Sequence, residues 1–237
     1  MARRNKLLKF SQLRDMPNVY QNFTQVDPQH LGDIELMAPQ GETKVMKGQW
    51  AAHFGNDHPI TLELACGRGE YTIALARSFP ERNFIGVDIK GARIWQGAKI
   101  ALEEELDNVA FLRTRIEMIH YLFDTEEIDE IWITFPDPFL RKSKANKRLT
   151  SMRFMDLYKD ILRKEGIVQL KTDDDTLYEF TVETWQEEQG IDVRYLNDDI
   201  YAQELDFPEL AHKTYYEKMH LEKGLSIKYI RATFLRS

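Results

Sequence analysis

A single cysteine, Cys66, is all the thiol chemistry in the 237-residue chain. An internal disulfide and any multi-cysteine metal cluster are therefore excluded. The six histidines follow no metal-ligand spacing, so no resident metal is expected. No apolar run approaches the roughly 20 residues that cross a bilayer, and the opening MARRNKLLKF lacks the apolar region and small-residue cleavage site of a secretory leader. A cytoplasmic protein without a membrane partner is the expectation. Internal repeats and low-complexity tracts are missing as well. So is an excess of positive charge: the net charge of −7 argues against nonspecific coating of nucleic acid, although binding follows the local field as well as the sum.

Against that acidic background one segment stands out, FPDPFLRKSKANKR at 135–148. A lone acid, Asp137, sits between two prolines and is followed by Arg141, Lys142, Lys144, Lys147 and Arg148. A smaller basic cluster, ARRNKLLK, lies near the start. Either run could be an ordinary solvated surface. The hydrophobic fraction of 43% suffices for one sizeable core. Residues 1–48 are mixed and turn-rich, with Pro17, Pro28, Gly32, Pro39 and Gly41, and read as an N-terminal arm partly ordered by docking on a single domain at 49–237.

From there strand and helix patterns alternate. Strands are expected at 59–65, 83–88, 108–115, 128–135 and 167–173, with closing strands at 192–199 and 226–234. Helices are expected at 70–79, 91–106, 153–166, where Gly166 would close the helix, and from Thr176, where Thr176 and Glu179 have the form of a capping box. The segment EMIHYLF reads as a helical turn. Such alternation predicts a mostly parallel sheet covered by helices on both faces, with the ligand crevice at the carboxyl ends of the strands.

The first strand runs into ELACGRGEY, placing Glu63, Ala65, Gly67 and Gly69 in a tight turn before a helix. Glycines there let a ligand approach the backbone. Thr72 occupies the last position of the dinucleotide fingerprint, which counts against NAD, and Glu63 and Glu70 beside the turn would repel a pyrophosphate. Asp88 ends the second strand 21 residues after Gly67, the spacing at which a carboxylate accepts from both ribose hydroxyls of a nucleoside. Cys66 reads as a small turn residue rather than a nucleophile, and Trp95, Trp132 and Trp185 as core or partly exposed residues.

The segment LELACGRGEY…NFIGVD resembles the S-adenosylmethionine site of class I methyltransferases, with Ala65 where a glycine is usual; alanine tolerates most turn geometries except positive φ. TFPDPFLRKSKANKR is similar to the PDPW…K.RH.KRR signature of bacterial tRNA (guanine-N7)-methyltransferases, with Phe139 for the tryptophan and Arg141 for a lysine. FGNDHPI, QLKTDDDTLYEF and KTYYEKM also resemble family segments, in order, over roughly 48–237. The resemblance implies an α/β Rossmann-like fold with a seven-stranded mostly parallel sheet and a C-terminal antiparallel strand. It implies S-adenosyl-L-methionine as cofactor and tRNA as partner, in a monomer or homodimer. It assigns Glu63, Ala65, Gly67, Gly69, Asp88, Arg115, Ile116 and Asp137 to the cofactor. Arg141, Asp173, Thr214, Tyr215, Tyr216 and Glu217 go to the substrate, and Asp137 also to catalysis. The family's usual acid after the third strand is replaced by Arg115, so a main-chain group at Arg115 or Ile116 is expected to meet the adenine.

Guanine N7 carries an in-plane lone pair, so its methylation calls for orientation and electrostatics rather than a general base. A carboxylate held by prolines, which set their own φ and bias the residues before them toward extended geometry, suits a base that becomes cationic. The flanking cations suit its phosphates. Other readings stay open: a class I methyltransferase acting on a small molecule or protein, or a non-enzymatic RNA-binding protein with a degenerate pocket. Asp173, Asp174 or Asp175 could be a helix cap, and Thr214 with Glu217 a surface pair.

Overall fold

The protein is described from a computed structural model, which covers residues 2–24 and 33–235, with side chains from Leu7 onward. Pro28 and Gly32 lie outside the described residues, as do the side chains of the N-terminal basic cluster through Lys6.

The chain opens with helix α1 (Ala2–Leu13) and short strands β1 (Val19–Gln21), β2 (Glu35–Met37) and β3 (Thr43–Val45), followed by helix α2 (Trp50–Phe54). The alternating region then gives β4 (Ile60–Leu64), α3 (Glu70–Ser78), β5 (Asn83–Asp88), α4 (Gly91–Glu103), β6 (Val109–Arg113) and β7 (Ile128–Thr134). It closes with α5 (Met152–Ile161), β8 (Leu162–Thr172), α6 (Asp175–Glu187), β9 (Ile191–Asn197), α7 (Tyr215–Glu222) and β10 (Lys228–Phe234). The expected helical turn after β6 is a 3-10 segment at Ile116–Tyr121.

The strands form one sheet in the order β3-β2-β1-β6-β5-β4-β7-β8-β10-β9. The pairs among β6, β5, β4, β7 and β8 are parallel, and β10 lies antiparallel between β8 and β9. Among the described residues the sheet thus has ten strands where seven were expected. The additional three come from the N-terminal stretch: β1 pairs in parallel with β6, Val19 opposite Phe111, and β2 and β3 continue outward antiparallel. Strands of three residues carry too little alternation to be read from sequence. Helix α1 packs on α4, with Leu13 fully buried and Trp95 Nε1 donating to Gln12 Oε1 at 2.9 Å.

Alternate residues of the central strands feed two cores, one on each face. Leu62, Leu64, Ile85, Val87, Leu112, Ile131 and Ile133 face one; Phe84, Phe111, Trp132 and Tyr229 face the other. This is the period-two segregation that a buried parallel sheet imposes. Trp132 and Trp185 are core residues and Trp95 is half-buried.

Two local expectations change. Gly166 does not close α5: the helix stops at Ile161 and β8 begins at Leu162, so residues 162–166 are extended, with Glu165 at φ 66° beside an irregularity in the β7–β8 register. Pairing of Leu162 with Ile128 outweighs the helical periodicity. The cap of α6 is Asp174, whose carboxylate accepts from Leu177 N at 2.7 Å, rather than Thr176. The chain is already helical at Asp175, because Asp174 N is itself fixed by Thr172 Oγ1 at 3.1 Å.

Candidate active site

The order of the parallel strands reverses at β4: β5 and β6 extend to one side and β7 and β8 to the other. Neighbouring crossovers diverge there and leave a crevice at the strands' carboxyl ends. The β4–α3 turn lies at this point. Gly67 and Gly69 have φ of 59° and 71°, the region that glycine enters without steric cost. The position where a Cβ would stand on Gly67 has Ala65 O at 4.0 Å as its only near neighbour, leaving room for a ligand against the main chain. Ala65 itself has φ 58°. Ala65 is thus held in the left-handed conformation that alanine tolerates poorly, at a cost of about 1–2 kcal/mol.

Asp88, at the end of β5, is almost fully buried. Its Oδ2 accepts from Gly67 N at 3.0 Å and its Oδ1 from Lys90 N at 2.7 Å. Each carboxylate oxygen has a second lone pair, so both can accept a further donor from the cleft. Glu63 on β4 is 4% exposed and lies beneath the turn. Its Oε2 accepts from Thr72 N at 2.9 Å and from the Thr72 hydroxyl, and its Oε1 from Thr134 Oγ1 at 2.6 Å. Burial pushes its carboxyl up to about 7 against the opposing pull of those hydrogen bonds. Thr72 and Thr134 thus tie the turn to the end of β7. Cys66 is buried, and burial first, then Glu63 and Asp88, push its thiol well up. That is the state of an inert structural cysteine.

A cleft of about 480 Å³ opens above the turn, lined by Ala65, Asp88, Arg115, Ile116, Asp137 and Lys147 among others. Arg115 and Ile116 line the same cleft as Asp137. Two smaller cavities adjoin it. One, of about 90 Å³, lies between Glu63, Gly67 and Thr214–Tyr216. The other, of about 320 Å³, is lined by Arg93, Asp137, Asp173, Tyr216 and His220. Asp137 belongs to both the large cleft and this last cavity, so its exposed carboxylate stands on the wall between them.

The loop carrying Asp137 is bent at both ends. Phe135 has φ 47° and Phe139 φ 43°. The extended geometry that Pro136 favours is overridden at Phe135, whose N–H donates to Lys171 O at 2.8 Å and whose ring packs against the core. Phe139 N donates to Asp137 Oδ1 at 3.1 Å, fixing the carboxylate.

The basic run divides. Arg141, Lys142, Lys144 and Lys147 are exposed, on and beside a 3-10 segment at Lys142–Lys147. Arg148 is 4% exposed and faces inward, which corrects its reading as one of a row of surface cations. Arg141 borders none of the three cavities.

Thr214 and Glu217 form a capping box at the start of α7, Thr214 Oγ1 accepting from Glu217 N at 3.2 Å and Glu217 Oε2 from Thr214 N at 3.3 Å. They are not a surface pair. Glu217 is fully buried, its Oε1 2.7 Å from Lys171 Nζ and accepting from Tyr201 OH at 2.6 Å. Glu217 therefore offers no free carboxylate to a substrate. Tyr215 and Tyr216 stay about half exposed beside the smaller cavities, and Tyr215 N donates to Glu70 Oε2 at 2.7 Å, joining α7 to α3. Asp173 Oδ2 lies 2.9 Å from His220 Nδ1.

Sequence reasoning did not single out Arg93, Lys171 or His220. Lys171 alone left a signal, a cation inside the strand QLKTD that burial on both faces should have made apolar.

Residues 57–229 match the model of a family described as a putative methyltransferase. A tRNA (guanine-N(7)-)-methyltransferase of Christiangramia forsetii is 45% identical over 98% of this chain and 98% of its own. One of Porphyromonas gingivalis is 51% identical over 78% of this chain and 75% of its own. Among solved structures, a 16S rRNA (adenine(1408)-N(1))-methyltransferase variant from Catenulisporales acidiphilia, determined with its cosubstrate SAM, matches with a TM-score of 0.53 at 13% identity, over 82% of this chain and 94% of that one. At that identity the likeness shows the fold alone.

Proposed function

The chain belongs to the family of tRNA (guanine-N(7)-)-methyltransferases, and from that premise we propose that it transfers a methyl group from S-adenosylmethionine to N7 of a guanine in tRNA, in the variable loop by family resemblance. The observation that supports this most directly is the position of Asp137, on the wall shared by the cleft of Asp88 and the cavity of Asp173.

The residues present suit the cofactor. Gly67 leaves the main chain open to close approach, and Asp88 keeps an acceptor position on each oxygen for two vicinal hydroxyls. Ala65, Gly69, Ile116 and the main chain at Arg115 would line the rest of its site. Glu63 would act from beneath, by holding the turn and by its charge. The bound sulfonium supplies an electrophilic methyl group.

The chain's own residues orient the acceptor and stabilise charge. Asp137 places a carboxylate beside the base as it becomes cationic, and its remaining acceptor positions suit guanine N1–H and the exocyclic amine. Asp173 would add acceptors in the adjoining cavity. The half-exposed rings of Tyr215 and Tyr216 offer faces on which a nucleobase stacks. Thr214 and Glu217 support those rings by capping α7. Arg141, with Lys142, Lys144 and Lys147, would hold phosphates and position the strand without reading its sequence.

The test is incubation of the protein with unmodified tRNA and labelled cofactor, followed by mass mapping of the product. Label at guanine N7 is the expected result; label on another atom or on protein, or none at all, would refute the reading.

A further inference from the structure

Arg148 belongs by sequence to the basic run, yet the fold takes it out of solvent. Its Nε donates to Pro138 O at 2.9 Å and its Nη2 to Phe139 O at 3.2 Å. The guanidinium carbon lies 4.3 Å from the centroid of the Phe180 ring, on α6. Its own N–H donates to Ala145 O, and its carbonyl accepts from Ser151 N, each at 3.0 Å. Ser151 is the residue from which α5 starts. Among the described residues no carboxylate stands within ion-pair distance of Arg148.

The two carbonyls that Arg148 holds are those of the residues immediately after Asp137. Phe139, at φ 43°, is in a conformation that persists only where its surroundings over-determine it. Its N–H is taken by Asp137 and its carbonyl by Arg148, so both peptide groups flanking the strained residue are fixed. We infer that Arg148 is a positioning residue for methyl transfer: it clamps the Pro138–Phe139 backbone to the α5–α6 layer and so aims the Asp137 carboxylate, without touching the RNA. A planar fork reaches two carbonyls at once and lies flat on an aromatic face, which a lysine ammonium does not reproduce.

This inference rests on the proposed methyl-transfer reading, and the experiment separates the two. Wild type, Arg148→Met, Arg148→Lys and Arg141→Met are compared for single-turnover rate at saturating tRNA, tRNA affinity across a salt series, and S-adenosylhomocysteine affinity by calorimetry. No transfer by wild type overturns the functional reading, and amide exchange then tests the clamp alone: the Phe139 amide should exchange faster in both Arg148 variants, and unchanged exchange overturns it. With active wild type, Arg148→Met should lower the single-turnover rate on the order of 10²-fold, the cost of a misplacement of about 1 Å, with tRNA and cofactor affinities unchanged within twofold. Arg148→Lys, which keeps stem and charge, should remain at least about tenfold slow, because the fork is lost; it also carries the test if Arg148→Met fails to fold. Arg141→Met should do the opposite, weakening tRNA and flattening the slope of log affinity against log salt by about 0.7–0.9. The inference is overturned if either Arg148 variant flattens that slope in the same way, or if Arg148→Lys turns over at the wild-type rate.

Discussion

The ammonium of Lys171 on β8 stands 2.7 Å from the carboxylate of Glu217 on α7, with both side chains fully withdrawn from solvent. Lys171 Nζ also donates to Leu210 O at 3.2 Å and to His212 O at 3.1 Å, while Tyr201 donates to Glu217. Burial pushes the Lys171 ammonium down, and Glu217 pulls it back. The pair fixes the start of α7, and with it Tyr215 and Tyr216 beside the two smaller cavities. Removing one partner strands a buried charge: Glu217→Gln or Lys171→Met should each cost about 3–5 kcal/mol, whereas Lys171→Met combined with Glu217→Leu should cost markedly less. Urea denaturation of the three variants checks this, and additive losses would show that the pair is not coupled.

Asp137→Asn keeps the side chain's shape and its acceptor for Phe139 N while removing the charge. The expected result is a loss on the order of 10²–10³ in single-turnover rate, the range for one electrostatic contact to a charged transition state, with S-adenosylhomocysteine affinity unchanged. Stopped-time assays with labelled cofactor and calorimetry give the two numbers. A variant of wild-type rate would remove Asp137 from the chemistry.

Glu63 makes a pH prediction. Its carboxyl is raised by burial to about 7 from the ordinary glutamate value of 4.5, so the folded state binds this proton more tightly than the unfolded state does. Its contribution to stability is then fully present below pH 4.5 and is lost as pH rises through about 7. The difference in stability between wild type and Glu63→Gln should shift against the wild type over that window and level off above it. A cationic ligand favours the ionised form, so the sulfonium S-adenosylmethionine should bind wild type more tightly as pH rises through 7, and Glu63→Gln should flatten the rise. Denaturation and calorimetry at several pH values test both.

Ala65 carries φ 58° without the freedom of glycine. Ala65→Gly should relieve the left-handed strain, offset in part by the greater entropy of the unfolded chain, for a net gain of up to about 1 kcal/mol. Cofactor affinity should hold. Ala65→Val, β-branched in the same conformation, should destabilise the protein and weaken the cofactor. Thermal melts with and without S-adenosylhomocysteine separate the outcomes, and a destabilised Ala65→Gly would mean that the alanine methyl contributes packing that outweighs the strain.

The segments from residue 60 onward were legible because hydrophobic spacing and chain punctuation agreed there. NFIGVD became β5 residue for residue, and the glycine turn and Asp88 met as their spacing implied. The misses arose where contacts distant in sequence overruled local preference. Phe135 turned left-handed before Pro136, residues 162–166 left the helix as Leu162 paired with Ile128 of β7, and the three-residue β1 joined β6 from the N-terminal stretch.

Sequence by itself determined the alternation of strand and helix, the glycine turn with its two acids, and the composition of the basic run, because each depends on residues close together in the chain. Tertiary structure decided which of those charges meet solvent. Arg148 and Glu217 look like their exposed neighbours when read as letters, but Pro138, Phe139 and Phe180 enclose the one, and Lys171 and Tyr201 the other. Burial is a property of the elements that pack around a residue, and those elements come from parts of the chain that local pattern does not connect.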